Sequence, residues 1–507
     1  MKLDKTTNVK RGIRYGIVNK IITLLLPFFV QTVTIKTLGA EYVGIKGLYS
    51  SILTVLSLSE LGVGTAIVYS MYKPIAEDDI KTIGALLNVY KKLYRIIGFV
   101  VLLVGLAITP FLKLLIKGEY PNDINLYIIY LLYLFNTVIS YWMYAYKSSL
   151  LNAYQRIDIV SNIGTLIQAM TCVFQIIFLV TTKNFYAFLM VSIVATVINN
   201  IITSVCVDHM YPEIKCEGIV SAEIREDIKT NVAGLLIGKV CGTTRNTFDN
   251  IFMSMFLGLT QAAIYSNYFY ILYALNGFTG ILLNSLLAGI GNSIVIESKE
   301  SNYKQMMILH TAYMVISGWM AICMLCLYQP FMRIWVGDKL MFPEYTMMLF
   351  PLYFYIGKLG DIRGVYADGA GLFWQNRYRT LIEAIANIIL NYVFVLKWGA
   401  FGIMLATIIT LFFIGFIGST IVIFKYYFTD GMKAYLFNSI YYLFTTVLVG
   451  TIAYLIMNYI KTDSLILNLV YRGIGCVTIV PVLYVLFVFY RRDFRDATIW
   501  ISDIMRR

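Results

Sequence analysis

Long apolar stretches follow one another along the whole chain, and short polar segments separate them. About fourteen of these stretches reach the ~20 residues that a helix needs to cross a bilayer core of ~30 Å. Their apolar runs are continuous rather than alternating, which favours helices over barrel strands. The sequence therefore predicts an all-α integral membrane protein of about fourteen transmembrane helices. The predicted spans are 15–38, 43–70, 90–116, 124–146, 157–181, 185–207, 230–257, 261–292, 306–328, 344–367, 379–397, 401–424, 435–459 and 464–490.

The distribution of Lys and Arg assigns a side of the membrane to each predicted loop. Of the 41 Lys and Arg, 26 fall in segments that a cytoplasmic amino terminus would place inside, and seven fall outside. Because cytoplasmic loops carry the excess of positive charge, both termini are predicted to be cytoplasmic, in a multi-pass protein of the cell membrane. Residues 491–507 are too short and too charged to span. They are predicted to form a cytoplasmic amphipathic tail helix, with a plain solvated tail as an equal alternative.

Span seven, 230–257, carries ionisable residues near its middle. Lys239, Arg245 and Asp249 would each cost roughly 2.5–3.5 kcal/mol at the centre of a helix exposed to lipid. At 100° per residue they share one broad arc with Asn250, opposite an apolar face. The arc predicts a helix that lines a cavity. The alternative is that Arg245 and Asp249 form a neutral i,i+4 pair that only joins helices.

Two further spans contain intramembrane polar residues. Glu60 lies in span two, and span ten carries Lys358, Asp361 and Arg363 within the Gly-rich segment YIGKLGDIRGVYADGAG. This segment predicts a bent or partly unwound helix beside a cavity, with a local Lys358–Asp361 pair as an equal alternative. Across these spans the cations exceed the anions, which favours an anionic substrate such as a pyrophosphate head group.

An internal repeat relates the two halves of the chain. A shift of 219 residues aligns Lys20 with Lys239 and Leu38–Gly39 with Leu257–Gly258. Parallel repeats of this kind predict two pseudo-symmetric six-helix lobes followed by two additional helices. Lys20 and Lys239 would then face one another across a central cavity. The predicted domains are 1–215, 216–430, 431–490 and the tail 491–507.

Composition narrows the class of function. The chain is 59% hydrophobic and 14% charged, with a mean hydropathy of +0.73, so its net charge of +13 reflects membrane topology rather than nucleic-acid binding. Six of the seven cysteines fall inside predicted spans, which predicts no extracellular disulfide framework. The two histidines have no metal-type neighbours, and no nucleotide loop or nucleophile motif is present. We therefore expect neither an enzyme nor a cofactor-dependent protein, but a transporter without direct ATP use.

Two segments resemble polysaccharide flippases of the Wzx type, members of the multidrug/oligosaccharidyl-lipid/polysaccharide (MOP) exporter superfamily. These are KRGIRYGIVNKIITLLLPFFVQTVTIKTLGAEYVGIKGLYSSIL from Lys10 and FDNIFMSMFLGLTQAAIYSNYFYIL from Phe248. The resemblance covers essentially the whole chain, although its motifs are degenerate. It implies a two-lobed, MATE-like helical fold with alternating access and an undecaprenyl-diphosphate-linked oligosaccharide as substrate. The positions that fit the family's basic cavity are Lys20, Lys239 and Arg245.

The resulting prediction is a flippase that supplies capsule, exopolysaccharide or O-antigen-type polymer synthesis. Lys20, Lys239 and Arg245 would hold the diphosphate, and the remaining candidates would line the cavity or couple transport: Asp249, Asn250, Lys358, Asp361, Arg363 and Glu60. The partners are the lipid-linked substrate, membrane lipids and, as an open point, polymerase or assembly proteins. The alternatives are a peptidoglycan-precursor flippase, a cation-coupled multidrug exporter of the same superfamily and a polytopic polymerase.

Overall fold

The computed structural model describes residues 5–60, 63–226, 228, 232, 243, 245, 247–459, 462 and 464–506, and helices make up most of this part of the chain. The numbered helices are α1 (Lys5–Thr37), α2 (Ala40–Leu56), α3 (Val63–Ala76), α4 (Ile80–Ile108), α5 (Leu126–Trp142), α6 (Ser148–Ala153), α7 (Ile157–Thr182), α8 (Phe185–Met210), α9 (Leu259–Ile296), α10 (Lys299–Val336), α11 (Leu349–Lys358), α12 (Asp361–Gly369), α13 (Phe373–Thr410), α14 (Met432–Tyr459), α15 (Leu465–Val488) and α16 (Arg492–Arg506). The predicted all-α membrane class is confirmed.

Every predicted span except the seventh coincides with one of these helices or with consecutive ones. Eight described helices are long and apolar enough to cross a membrane, and a bent pair raises the number to nine. The number is below fourteen because spans eleven and twelve run together and spans two and ten are broken into shorter helices. In addition, the described apolar part of span one is a shorter helix, Ile21–Thr37, and span seven is not among the eight. Most of span seven lies outside the described residues, and its carboxyl end is helical from Thr247 to a π-helical turn at Met253–Leu257.

The chain divides into two compact units, Met1–Ala263 and Ile264–Arg507. In the first unit α1 packs on α7, α7 on α8, and α4 on α3 and α5. The α1–α7 contact includes Asn19, whose Nδ2 donates to Ser161 Oγ over 3.0 Å. The lobe boundary predicted at residue 215 stays a prediction, because it rests on the internal repeat, whereas these two units are defined by packing.

The two glycines of the stretch TLGAEYVG, residues 37–44, have separate structural roles in this unit. Gly39 precedes α2 with φ 117° and ψ 171°, a conformation that is essentially confined to glycine. A Cβ on Gly44 would lie 2.2 Å from the carbonyl oxygen of Leu259, so the bare backbone of α2 is needed for this close approach. Gly258, the repeat mate of Gly39, precedes α9 with φ 93° and ψ 171°. The aligned Leu–Gly pairs therefore form the same kind of turn.

In the second unit α10 is the central helix. It packs on α11, α14, α15 and α16. Of its most apolar stretch of 18 residues, 61% is buried. Spans eleven and twelve form an antiparallel hairpin that turns at Gly399, where φ is 57°. Its two arms are joined by Asn387, whose Nδ2 donates to Thr407 Oγ1 over 3.1 Å. A Cβ on Gly402 would lie 2.2 Å from the Phe394 carbonyl oxygen, so the arms approach closely.

The tail is helical from Arg492 to Arg506, and the start of α16 contacts α10 and α14. Its predicted position at the cytoplasmic membrane surface stays a prediction. Asp493 accepts hydrogen bonds from Asn438 and from Arg491 Nε, the latter over 2.8 Å. Ala497 is buried one turn later. The beginning of the tail helix is therefore attached to the second unit.

Candidate functional site

The described end of span seven presents its polar face to the protein. Asp249 is 1% exposed and Ser254 is fully buried, whereas Met255 on the opposite face is 38% exposed. Asn250 Nδ2 donates to Ser51 Oγ of α2 over 3.2 Å. Ser254 Oγ donates to a backbone carbonyl just after α4 over 2.9 Å. The predicted two-faced helix is confirmed for this part of the span.

The three residues predicted to hold a diphosphate are only partly described. Lys20 lies within α1, but its side chain lies outside the described residues, as does the whole of Lys239. Arg245 is helical and half-buried, one turn before Asp249. The structure therefore places Arg245 on the same buried arc as Asp249, and the role of the three cations stays a prediction.

Glu60 lies at the break between α2 and α3, where it accepts hydrogen bonds from two tyrosines. Tyr94 donates to Glu60 Oε1 over 2.6 Å, and Tyr141 donates to Glu60 Oε2 over 2.7 Å. Tyr90 donates in turn to the Tyr94 hydroxyl over 2.7 Å. We call these four residues the Glu60 cluster. Among the described residues, the carboxylate is stabilised by neutral donors and forms no ion pair.

A cavity of about 530 Å³ with several polar side chains in its wall adjoins the Glu60 cluster within the first unit. Its wall includes Glu60, Tyr90 and Tyr94 together with Ser149 and Asn152. A partly exposed carboxylate beside a cavity of this size can bind and release a proton or a metal cation, because water or a ligand reaches it. The sequence singled out Glu60 alone, because its tyrosine partners come from α4 and α5 and no local spacing connects them.

The broken span ten separates its charges into two different environments. The break between α11 and α12 confirms the predicted bend. Lys358 Nζ lies 3.0 Å from Asp361 Oδ2, which also accepts a hydrogen bond from Tyr313 over 2.7 Å. Lys358 is 7% exposed. The local pair, left open on the sequence, is therefore formed, and it neutralises this lysine.

Arg363 has neutral partners instead. Its Nη1 donates to the Phe416 carbonyl oxygen over 2.9 Å and to Thr420 Oγ1 over 2.6 Å. Phe416 belongs to a π-helical stretch, Leu411–Gly418, a geometry that is frequent at functional sites. A Cβ on Gly360 would lie 2.6 Å from Arg363 Nη2, so this glycine provides the space for the guanidinium. Arg363 retains a positive charge in the interior of the second unit.

The tyrosines of span eight are packing residues where they are buried. Tyr268 is fully buried, and its hydroxyl donates to Gln329 Oε1 over 2.6 Å. Its ring lies 5.2 Å from that of Phe350. His310 is also fully buried, with Nε2 at 2.9 Å from Ser439 Oγ. The described residues contain no group of three His, Cys, Asp or Glu arranged for a metal ion.

Comparison with solved structures identifies the fold. Lipid II flippase MurJ in an inward closed conformation matches with a TM-score of 0.64 at 14% identity, over 94% of this chain and 99% of that chain. An inward-facing multidrug resistance MATE family transporter of the MOP superfamily matches with a TM-score of 0.62 at 15% identity, over 82% and 95%. A MATE transporter of Vibrio cholerae matches with a TM-score of 0.55 at 13% identity, over 85% and 99%.

No protein-family model and no curated protein matches the sequence. The structural likeness shows that the chain has the fold that these transporters and the lipid II flippase share, which is the fold that the sequence resemblance implied. It is a multi-pass membrane protein of a fold that serves transporters and a flippase. At these identities the likeness concerns the fold alone.

Proposed function

We propose that this chain is a flippase that moves an undecaprenyl-diphosphate-linked oligosaccharide from the inner to the outer leaflet of the cytoplasmic membrane. The observation that carries the proposal is the extent of the match to the lipid II flippase. That match covers 94% of this chain, against 82% and 85% for the two MATE transporters. The difference is about the size of the segment that holds α14 and α15, residues 432–488 of 507. The lipid II flippase is therefore the better structural counterpart.

Diphosphate binding is assigned to Lys20, Lys239 and Arg245. Ammonium and guanidinium groups form strong, charge-assisted hydrogen bonds with phosphate oxygens, and a charge inside a membrane is retained where a substrate or partner neutralises it. The buried polar arc at Asp249 and Asn250 supports this assignment, because it directs that face of span seven into protein. The oligosaccharide would follow the diphosphate by alternating access, with the lipid tail remaining in the bilayer.

Coupling to a cation gradient is assigned to Glu60. Its carboxylate adjoins a cavity and is held by phenolic hydroxyls rather than by a cation of the described chain. Protonation or cation binding would change its charge and its hydrogen bonds with Tyr94 and Tyr141 together. Such a change alters the packing of α3, α4 and α5 and can therefore favour one transporter conformation.

The Glu60 cluster also favours a second candidate, a cation-coupled exporter of small molecules. This candidate needs an acidic binding site for its coupling ion, which Glu60 provides, but it gives no role to the cations of span seven. A peptidoglycan-precursor flippase would use the same cations for its diphosphate. The substrate distinguishes the three.

The test is the fate of lipid-linked oligosaccharide in cells depleted of this protein, with an impermeant sugar-binding reagent reporting the leaflet. We expect the lipid-linked units to accumulate on the cytoplasmic face only, and their analysis identifies the substrate. Accumulation of unpolymerised units on the outer face would contradict the proposal and indicate a polymerase. Unchanged lipid-linked pools with altered drug sensitivity would indicate the small-molecule exporter.

A further inference from the structure

A second polar cavity lies wholly within the second unit, where the ends of α10, α14 and α15 meet. Its volume is about 390 Å³, within the range of about 300–1,000 Å³ of small-molecule sites. The topology predicted from the sequence places this end on the outer side of the membrane. The polar side chains of its wall are Gln329, Arg333, Asp338, Glu344, Tyr454, Asn458, Asn468 and Arg472.

Arg472 is the buried cation of this cavity, with 9% of its surface exposed. Its Nε donates to Asn468 Oδ1 and its Nη2 to Asn458 Oδ1, both over 2.6 Å, and its Nη1 donates to the Cys326 carbonyl oxygen over 3.3 Å. All three acceptors are neutral. A guanidinium has five N–H donors, so two remain, and within the described chain Arg472 forms no ion pair.

A buried cation with neutral partners provides a site for an anion. Removing a charge from water costs several kcal/mol unless an opposite charge compensates it, and a carboxylate or phosphate oxygen is the natural acceptor for the free N–H groups. The two asparagine oxygens hold the guanidinium in place from both sides. The Arg472 guanidinium is therefore already held in position before a ligand binds.

The other charged side chains of the cavity favour a ligand with a single negative charge. Arg333 Nε lies 2.6 Å from Asp338 Oδ1, so these two neutralise each other. Glu344 lies close to the Tyr454 hydroxyl on the cavity wall. A doubly charged phosphate would be repelled by Glu344, whereas the hydroxyl groups of a carboxylated ligand can donate to it.

We propose that this cavity binds a sugar acid, with its carboxylate on Arg472. The ring hydroxyls would donate to Glu344 and accept from the Nδ2 of Asn468, which makes no hydrogen bond within the described residues. The carboxylate part of the proposal rests on the contacts of Arg472. The sugar part rests on the proposed function, in which an acidic residue of the translocated glycan would occupy this site.

The test is saturation-transfer NMR on the purified full-length protein in lipid nanodiscs, with D-glucuronate, D-glucose and acetate as probes. We expect glucuronate to bind at least tenfold more tightly than either glucose or acetate. Arg472→Gln should lower glucuronate binding to the level of glucose. Lys339→Gln is the matched control, because Lys339 is an exposed lysine near the cavity and not part of its wall, and it should leave binding unchanged.

A second variant keeps the test valid even where Arg472→Gln folds poorly. Asn468→Asp places a carboxylate against Arg472 Nε, at a position that is already 2.6 Å away. We expect it to abolish glucuronate binding while the thermal midpoint stays equal or rises. Undiminished binding in this variant, or equal binding of acetate and glucuronate by the unsubstituted protein, overturns the proposal.

Asp463 precedes α15 and lies outside the described residues, so it requires its own variant. We expect Asp463→Asn to leave glucuronate binding unchanged. Tighter binding in that variant would mean that Asp463 already neutralises Arg472, and the proposal would fall. Free sugars report this site without any translocation. The cavity proposal and the flippase proposal can therefore fail separately.

Discussion

Thr260 Oγ1 donates a hydrogen bond to Glu41 Oε1 over 3.3 Å, and the two residues are 219 positions apart, which is the offset of the internal repeat. They occupy the same place in their repeats, one residue into α9 and α2 respectively. The preceding glycines, Gly258 and Gly39, share a glycine-only conformation. The two aligned segments therefore share a backbone conformation, and Thr260 and Glu41, at equivalent positions, contact each other.

The two repeat glycines give a prediction about stability. Alanine at Gly39 or Gly258 must adopt φ above 90° with ψ near 170°, and such strain costs on the order of 1–3 kcal/mol. We expect Gly39→Ala and Gly258→Ala each to lower the thermal unfolding midpoint of the purified protein. Gly289→Ala is the control, since a Cβ there meets nothing within 4 Å. Midpoints equal to that of the control would contradict the strain argument.

The cations of span seven give a prediction about export. Lys239→Ala and Arg245→Ala should each reduce surface polymer at least tenfold, because a lost charged hydrogen bond is worth about 1.5–3 kcal/mol. The amount of each variant in the membrane should be unchanged. Lys81→Ala, at an exposed lysine of the first unit, is the charge-matched control. Immunoblots of membrane fractions and quantification of surface polymer provide the measurement, and wild-type export by both variants would remove the anionic-cavity hypothesis.

The Glu60 cluster gives a prediction about coupling. Glu60→Gln removes the charge and replaces one acceptor of the tyrosine hydroxyls with a donor. In proteoliposomes we expect it to eliminate the response of translocation to an imposed proton or sodium gradient. Tyr94→Phe, which removes one donor, should weaken that response without eliminating it. Glu77→Gln, at an exposed acid of the same unit, should behave as wild type. A full response in Glu60→Gln would exclude Glu60 from coupling.

The break in span ten gives a prediction about packing. A methyl group at Gly360 would displace Arg363 Nη2, from which it would lie only 2.6 Å away, and such overpacking costs about 1–3 kcal/mol. We expect Gly360→Ala to lower the unfolding midpoint and the double variant with Arg363→Met to recover part of that loss. Gly364→Ala, within α12, is the control, since a Cβ there meets nothing within 4 Å. Additive effects in the double variant would show that the two positions are independent.

Much of the fold follows from the sequence because hydropathy is a strong signal over twenty residues. Predicted and observed boundaries agree within a few residues for α7 and α15, which begin at Ile157 and Leu465. The bend at Gly360 also followed from local composition. Periodicity alone identified the buried face of span seven, because residues one turn apart share a side of a helix.

The partners of the candidate site residues could not be predicted in the same way. The Lys358–Asp361 pair is local and could be anticipated, whereas Glu60 and Arg363 meet partners 34 to 81 residues away in sequence. Arg472 has no signal in the sequence beyond its position inside span fourteen, because its cavity is formed by three separate helices. Which side chains meet depends on how the helices pack, and the residue pattern within one helix does not predict that packing.

The hairpin that turns at Gly399 has a mechanical consequence. The connection between its arms is a single non-helical residue, and close contacts such as that between Gly402 and Phe394 continue directly from the turn. Because the connection has no further residues that could change conformation, neither arm can shift or rotate independently of the other. In the transport cycle that we propose, the two helices would therefore move together as one rigid pair, with any hinge at their other ends.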